Sequence, residues 1–291
     1  MKKRLCVVVF ALICMSSNLF GQDDIPIDNS LFNTEVIYVD KVFPTIQIFN
    51  LPTTNLLPTG EMKLTIAHRM GSIGSGIQEL FGLYQANSRI GADLGLIKFV
   101  TIGLGSSSQK KFFDGYIKTR IIRQSNKFPL EMSLYNSIVY SALKPNYPKD
   151  KQALWQQIFY SNSLIFSKAF SKKMSAEVLV NYVHKNMVIS SKDKNDILGF
   201  SGAITLKTGR KVYLSAEYSY LLPDQIKSIF VTRHIVSLGI QIHTGPRHVF
   251  QIFLSNSAGI IAGNVLTETT TKFSLNNLRI CFNIPTTFKV Y

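Results

Sequence analysis

The side chains that most often carry catalysis are sparse and irregularly spaced in this sequence. The five histidines are His68, His184, His234, His243 and His248, and none of them belongs to a zinc-binding HExxH motif. His184 with Ser190 or Ser191, and His234 with Ser237, are the pairs from which a hydrolytic site could be assembled. No nucleophile elbow surrounds any of these serines. We therefore expect a protein that is not an enzyme, with no metal and no cofactor.

A second set of reactive side chains is charged, and it follows a period of two. Each member alternates with residues that are mostly apolar, which places the charges on one face of a strand. The set consists of Lys63, Arg69, Arg89, Asp93, Lys118, Arg120, Glu131, Glu177, Glu217 and Arg279. In a membrane barrel an Arg or Lys facing lipid costs about 2–4 kcal/mol at the midplane, so these charges are predicted to face the lumen. There they form either a salt-bridge network that closes a narrow barrel or a polar path for a small solute.

The alternating pattern recurs twelve times and predicts twelve strands. The segments are residues 62–69, 89–94, 100–105, 114–121, 131–140, 158–166, 174–184, 198–206, 212–220, 234–243, 249–255 and 275–284. Short links (96–98, 124–129, 170–173, 207–210 and 244–247) alternate with long ones (71–88, 106–113, 142–153, 185–196, 221–233 and 256–273). After Gly60 no run of about 18 apolar residues is present to form a transmembrane helix.

An even number of strands with short links on one side and long links on the other is typical of outer-membrane barrels. The predicted fold is all-β: an antiparallel up-and-down transmembrane β-barrel of about twelve strands, spanning residues 60–291, with short periplasmic turns and long outer loops. Aromatic residues near strand ends, Tyr135 and Phe159 among them, fit an interfacial girdle. Two alternatives remain open: a secreted soluble β-sandwich used as an interaction module, and a lipid-modifying barrel enzyme with its site at the rim.

The N-terminus has the features of a secretory signal peptide. Lys2, Lys3 and Arg4 precede an apolar run that ends in a polar stretch, and cleavage is expected after Gly21. The whole chain has 32 Lys and Arg against 17 Asp and Glu; removing those three basic residues leaves 29, a net charge of +12. Cys281 then remains as the single cysteine, which excludes an internal disulfide.

Residues 22–59 fit the barrel pattern less well. Pro26, Pro44, Pro52 and Pro58 interrupt the segment, and only Thr45–Phe49 reads as a short strand. We expect a periplasmic lead-in that folds against or into the mouth of the barrel. In the first long link, one or two helical turns are predicted over residues 77–84. The glycines at 71–76 and 103–105 are interpreted as small residues that allow a strongly bent sheet.

Several motifs resemble a known family. They are Leu51–Gly60 leading to His68–Gly71, then Leu80–Leu83, Arg89–Gly91, Thr101–Gly105 and Phe113–Gln124. The chain resembles a family of bacterial outer-membrane proteins described as a membrane-bound β-barrel domain of unknown function, from Leu51 to Gln124 and more loosely to the C-terminus. Tyr84 stands where an acidic residue is expected, and residues 96–98 lack the usual polar pair. The resemblance implies a barrel and assigns no activity or site residue.

The expected function is that of an outer-membrane barrel acting as a narrow passive channel or a small-solute binder. Export makes nucleic acid an unsuitable partner, so the excess of basic residues points to anionic lipid or to a small anionic solute. The expected partners are outer-membrane lipid, the barrel-insertion machinery during biogenesis, and that solute.

Overall fold

The protein is described by a computed structural model over residues 35–143, 153–245 and 247–290. The predicted signal peptide and residues 22–34 of the lead-in lie outside this range. Residues 37–290 hold twelve strands: β1 (Glu61–Ser72), β2 (Asn87–Ile97), β3 (Val100–Ser107), β4 (Phe112–Ile122), β5 (Glu131–Ser141), β6 (Ile158–Ala169), β7 (Met174–Lys185), β8 (Asp196–Lys207), β9 (Val212–Leu221), β10 (His234–His243), β11 (Val249–Ser255) and β12 (Arg279–Lys289). No helix among these residues is long and apolar enough to cross a membrane.

The twelve strands close into one antiparallel barrel in which every strand pairs with its neighbours in sequence. β1 completes the ring, because Ile66 faces Ile284 on β12 on one side and Ile90 on β2 on the other. The predicted twelve-stranded up-and-down barrel is confirmed, and the soluble β-sandwich is wrong. Closure leaves no strand edge unpaired, which is what a sheet in lipid requires.

Two of the differences from the predicted strand boundaries change the layout of the links. β12 begins at Arg279 instead of position 275, because Leu275–Asn277 forms a 3-10 turn before it. The link between β3 and β4, predicted to be long, is only residues 108–111, since both strands extend further than their apolar alternation indicated. One of the six outer links is therefore short.

The two faces of the wall differ sharply. Outward positions are apolar and exposed, as a surface that is covered by lipid must be. They include Leu64, Ile66, Ile90, Leu104, Ile117, Ile121, Ile138, Val178, Val180, Leu198, Phe200, Leu214, Leu238, Ile240, Ile252 and Leu254. Inward positions are mostly buried. Many of them are polar or charged, and others, such as Ile165 and Phe253, are apolar side chains in clusters inside the barrel. Tyr135 and Phe159, assigned from sequence to an outer aromatic girdle, are instead buried inside the barrel, because they share the inward parity of their strands.

The lumen is filled from the side of the short links by residues 37–59, here named the plug. Most of its residues between 42 and 57 are buried, including Phe43, Ile48 and Phe49. The strand predicted over Thr45–Phe49 is wrong: only one isolated bridge, Gln47 with Pro52, is formed. Proline supplies no N–H for a ladder, and the remaining backbone groups of the plug bond largely to side chains of the wall.

The opposite end is filled by the closing loop, residues 256–278, between β11 and β12. Its one-and-a-half-turn helix α1 (Ala262–Thr267) is buried, and Val265 and Leu266 pack with Phe112 and Val183 of the wall. Between plug and closing loop a central cavity of about 30 Å³ remains, which has room for about one or two waters. A vestibule of about 320 Å³ lies between the plug and the near ends of β1 and β10–β12.

The first long link contains 3-10 helix at Ile73–Ser75 and at Ile77–Gln85, the second of which is interrupted by a kink, where helical turns were predicted. Leu80, Phe81 and Gly82 all have positive φ there. Gly82 packs on Gly71 so closely that a Cβ on Gly82 would lie 2.3 Å from the Gly71 carbonyl carbon. Glycine at 82 is therefore required both by its φ of 89° and by this backbone contact.

Candidate functional site

On β1 to β4 the lumen wall carries two buried ion pairs. Lys63 Nζ lies 2.8 Å from Asp93 Oδ2, and Tyr116 donates a 2.7 Å hydrogen bond to the other oxygen of the same carboxylate. Arg89 binds Asp114 through two of its nitrogens, with Nε 2.8 Å from Oδ1. Within each pair the opposite charges neutralise each other, which offsets part of the free-energy cost of burying them.

Glycines beside these pairs make the space that the long side chains occupy. A Cβ on Gly105 would lie 2.2 Å from Arg89 Nη2, and one on Gly91 would lie 2.4 Å from Arg89 Nη1. A Cβ on Gly103 would lie 2.1 Å from the Tyr116 ring. The glycines of β2 and β3 thus let Arg89 and Tyr116 lie flat on the wall. This contact explains the presence of glycine more specifically than the sheet bending that was inferred from the sequence.

Two buried cations of the wall bind the plug instead of a carboxylate. Lys118 Nζ donates to the carbonyl oxygens of Ile46 and Thr53, at 2.8 and 2.9 Å. Arg69 donates to the side-chain oxygen of Asn50 at 3.1 Å, and its guanidinium carbon stands 4.6 Å from the centre of the Phe253 ring. Each cation thus occupies a position where it binds neutral oxygens.

Two buried carboxylates of the wall, Glu217 and Glu177, differ in whether they have hydrogen-bond partners. Glu217 accepts backbone N–H bonds from Phe49, Asn50 and Leu51, at 2.8, 2.9 and 3.0 Å. Glu177, also buried, has no hydrogen-bond partner for either oxygen among the described residues. Glu217 therefore holds the tip of the plug, whereas Glu177 is unsatisfied within the described part of the chain.

The remaining predicted charges lie nearer the ends of the lumen. Arg120 Nε is 3.2 Å from Glu131 Oε1, an ion pair without hydrogen-bond geometry. Arg279 is half-buried at the outer end of β12, where Nη1 donates to the Met70 carbonyl at 3.1 Å. All ten residues predicted for the lumen occupy the buried or half-buried side of the wall. They do not form one network: Lys63, Arg89 and Arg120 each form a separate ion pair with a carboxylate of the wall, and the remaining members bind the plug or a carbonyl or, in the case of Glu177, have no hydrogen-bond partner among the described residues.

Uncharged side chains form a continuous hydrogen-bonded belt across six neighbouring strands. It runs from Thr205 on β8 through Ser215, Gln241, Gln251 and Asn283 to Arg69 on β1, with every bond between 2.7 and 3.0 Å. The plug lies along this belt: Gln251 donates to the Gln47 carbonyl at 3.2 Å and Asn283 to that of Phe49 at 3.0 Å.

Several residues of this site were not predicted from the sequence. Asp114 shares the even-numbered, inward parity of Lys118 and Arg120, so the period of two was enough to find it. Gln241, Gln251 and Asn283 have inward parity as well but carry no charge to single them out. The plug residues that they bind gave no periodic signal.

The serine–histidine pairs considered from sequence are not formed among the described residues. His184 bonds to Asp196 at 2.8 Å and His234 to the Tyr218 hydroxyl at 2.8 Å, both on the exposed side of the wall. Ser237 faces the lumen and bonds to Asn50 and Ser255. No group of His, Cys, Asp and Glu in the described part of the chain could hold a metal ion. The lumen side chains of the wall bind the polar backbone of the plug.

Fold and lumen together define a closed, membrane-spanning β-barrel whose polar interior is occupied by its own chain. The chain belongs to the family described as "Membrane bound beta barrel domain (DUF5777)", whose model matches residues 43–288. The resemblance inferred from the sequence motifs is confirmed. The matched region includes most of the plug as well as the barrel.

Solved structures similar to this chain are porins. The NanC porin is 11% identical with a TM-score of 0.49, and the comparison covers 78% of this chain and 99% of that one. The KdgM porin is 6% identical with a TM-score of 0.46, covering 79% and 99%. A triple mutant of the Rhodopseudomonas blastica porin is 9% identical with a TM-score of 0.33, covering 69% and 55%. No curated protein sequence matches the chain.

Proposed function

We propose that this protein is an outer-membrane barrel, closed at rest by residues 37–59 and by the closing loop, which admits small anionic solutes when both segments move out of the lumen. The observation that carries the proposal is the pairing of Lys118 and Arg69 with oxygens of the plug. Carboxylate or phosphate oxygens of a solute can replace carbonyl oxygens on these donors, and such charge-assisted bonds are the stronger ones.

The wall around the plug supports a lumen that also accommodates water. The belt from Thr205 to Arg69 keeps most of its bonds within the wall, so it stays satisfied after the plug departs. The plug groups that bond to the wall would bond to water in exchange. Removing the plug therefore exposes polar surface along one side of the lumen.

A permanently closed barrel is the second candidate. It is favoured by the apolar cluster in which Phe43, Ile48 and Phe49 of the plug meet Ile165 and Phe253 of the wall. Burial of such side chains contributes about 1.5–3 kcal/mol each and opposes displacement of the plug. In that case the function would lie in the outer loops. No enzymatic role is proposed for either state.

A disulfide lock separates the two candidates. Thr54 Oγ1 of the plug lies 2.5 Å from Ser167 Oγ on β6, so cysteines at both positions are placed to tie the plug to the wall. The Thr54→Cys/Ser167→Cys protein, in a Cys281→Ala background, is inserted in planar bilayers. We expect no current while the disulfide is intact, and anion-selective openings after reduction.

The matched control is Ser201→Cys/Ser219→Cys in the same background. These hydroxyls are 2.7 Å apart on β8 and β9, so their disulfide joins two wall strands and leaves the plug free. The control is expected to conduct in both redox states. If neither the reduced lock, the control nor a Glu217→Ala variant conducts, the barrel is permanently closed and the proposal fails.

The outer membrane is the proposed location, and the orientation follows from the link lengths. A cysteine at Lys192, exposed in the loop between β7 and β8, should react with an impermeant maleimide on intact cells. A cysteine at Gly209, exposed in the short turn between β8 and β9, should not react. Equal labelling of the two positions would contradict this orientation.

A further inference from the structure

An outer pocket of about 610 Å³ lies at the mouth of the barrel, beyond the closing loop and separate from the plug. Its apolar lining comes from the ends of three strands and from the loop between β7 and β8, with Phe112, Phe159, Ile197 and Ile189 among the contributors. Pockets of about 300–1,000 Å³ with mostly apolar walls and few polar groups are typical of small-molecule sites.

The polar lining of this outer pocket includes one carboxylate between two lysines, in addition to Asp193, Lys194 and three glutamines. Glu268, just after α1, has Oε2 3.0 Å from Lys110 Nζ and Oε1 3.6 Å from Lys185 Nζ. Its side chain is 12% exposed and that of Lys185 is 20% exposed. The Lys185 ammonium also stands 6.0 Å from the centre of the Phe159 ring. The three groups together carry one net positive charge.

The donors outnumber the acceptors at this position. Two ammonium groups offer six N–H donors, whereas the Glu268 carboxylate occupies one side of each. Lys110 is half exposed and Lys185 lines the outer pocket, so both retain donors for a further oxygen. The other carboxylate at the rim, Asp193, is engaged by the N–H groups of Lys227 and Ser228.

We propose that the outer pocket binds a small amphiphile that has an apolar body and a single anionic group such as a carboxylate. The apolar body packs against Phe159, Ile197 and Ile189, and the anionic group binds between Lys110 and Lys185. Glu268 competes with the ligand for these two cations and limits its affinity. This site does not depend on whether the plug moves.

The single tryptophan, Trp155, allows a direct measurement. It precedes Gln156 and Gln157, which line the outer pocket, and its side chain is 56% exposed. The full-length mature protein in phosphatidylcholine nanodiscs is titrated with 4-phenylbutyrate, which has an apolar body and one carboxylate. We expect a saturable change in Trp155 emission, and an affinity at least about tenfold lower for the neutral 4-phenylbutanamide.

Three variants test the assigned groups. Lys185→Gln should weaken binding of 4-phenylbutyrate about fivefold to tenfold, and Lys110→Gln provides the same test if the first variant folds poorly. Glu268→Gln should strengthen binding, because it removes the competing charge. Lys211→Gln, in the turn at the opposite end of the barrel, is the matched control and should leave Kd unchanged. Heat-modifiable migration on gels verifies that each variant is folded.

Further measurements identify the source of the ligand and show which results would contradict the proposed site. If anionic lipid is the natural source of the ligand, phosphatidylglycerol nanodiscs will compete with 4-phenylbutyrate, and the competition will be weaker in Lys185→Gln. A non-saturable change, an equal response to the amide, or weaker binding in Glu268→Gln would overturn the proposal, since the lysines would then serve only to hold the closing loop.

Discussion

Glu217, in the middle of β9, holds Asn50 at the tip of the plug through both its backbone and its side chain. The Asn50 N–H lies 2.9 Å from one carboxylate oxygen, and the Asn50 amide nitrogen lies 3.2 Å from the other. A buried carboxylate is thus stabilised by N–H dipoles of a segment that is outside the sheet. The position of the plug and the burial of this charge depend on each other.

Replacing Glu217 by Ala should release the plug. Hydrogen bonds to a charged group contribute about 1.5–3 kcal/mol each, and three backbone N–H groups lose their acceptor in this variant. Cys281, which is fully buried in the cluster beneath Phe49, reports the release. We expect its reaction with a small maleimide to accelerate at least about tenfold. An unchanged rate in a folded barrel would show that Glu217 does not hold the plug.

Glu177→Gln serves as the matched control for that experiment and has its own expected result. The Glu177 carboxylate is buried without a hydrogen-bond partner among the described residues. Removing an unsatisfied buried charge should raise stability, by about 1–3 kcal/mol. The urea midpoint of unfolding should therefore increase while labelling of Cys281 stays slow. A lower midpoint would indicate that the carboxylate has a partner beyond the described residues.

Gly105→Ala should disrupt the Arg89–Asp114 ion pair. The new Cβ would lie 2.2 Å from Arg89 Nη2, and the guanidinium cannot move away without leaving Asp114. Breaking such a buried pair costs about 3–5 kcal/mol, which is expected as a lower unfolding midpoint. Gly115→Ala is the control, since its nearest contact would be 3.2 Å from a flexible Leu104 methyl group. Equal stability of the two variants would contradict this role for Gly105.

Acid should weaken the contact between the β7–β8 loop, which contains Asp193, and the β9–β10 loop, which contains Lys227 and Ser228. Burial acts to raise the pKa of Asp193, but hydrogen bonds from the Ser228 hydroxyl and the Lys227 and Ser228 N–H groups outweigh it and hold the pKa below the usual 3.8. Because this pKa is lower in the folded state, the ionised Asp193 carboxylate stabilises the contact fully at pH values above 3.8. The stabilisation is lost as the pH falls through the folded-state pKa. The protection of residues 222–233 against hydrogen exchange, taken relative to the intrinsic exchange rate at each pH, should therefore decrease only in this acid range.

Two variants check the acid sensitivity of these loops. Asp193→Ala should show the faster exchange already at neutral pH, because the acceptor is absent at every pH. Asp224→Asn, in the loop between β9 and β10, loses only an exposed ion pair of 3.9 Å with Arg233 and should behave as the wild type. Acid-independent exchange in the wild type would contradict the role assigned to Asp193.

Much of the wall could be predicted because strand geometry is local. Alternation of Lys63 with Leu64 and of Lys118 with Ile117 assigns each side chain to a face without any knowledge of its neighbours. The same rule extends to Asp114, which was overlooked although its parity is that of Lys118. The prediction for Tyr135 was wrong because it relied on residue type: an aromatic residue near a strand end was assigned to the lipid-facing side. The odd-numbered positions of β5, which include Tyr135, face the lumen.

The twelve strands, the closed antiparallel barrel and the side of the wall on which the charges lie follow from the amino-acid sequence, because a period of two and the lengths of the links are properties of adjacent residues. The pairing of the charges depends on the three-dimensional fold, since Arg89 and Asp114 meet across β3 through register and through the space left by two glycines. The position of residues 37–59 in the lumen also depends on the fold. That segment has no periodic signal, because its backbone is satisfied by side chains far away in the sequence, such as Glu217 and Lys118.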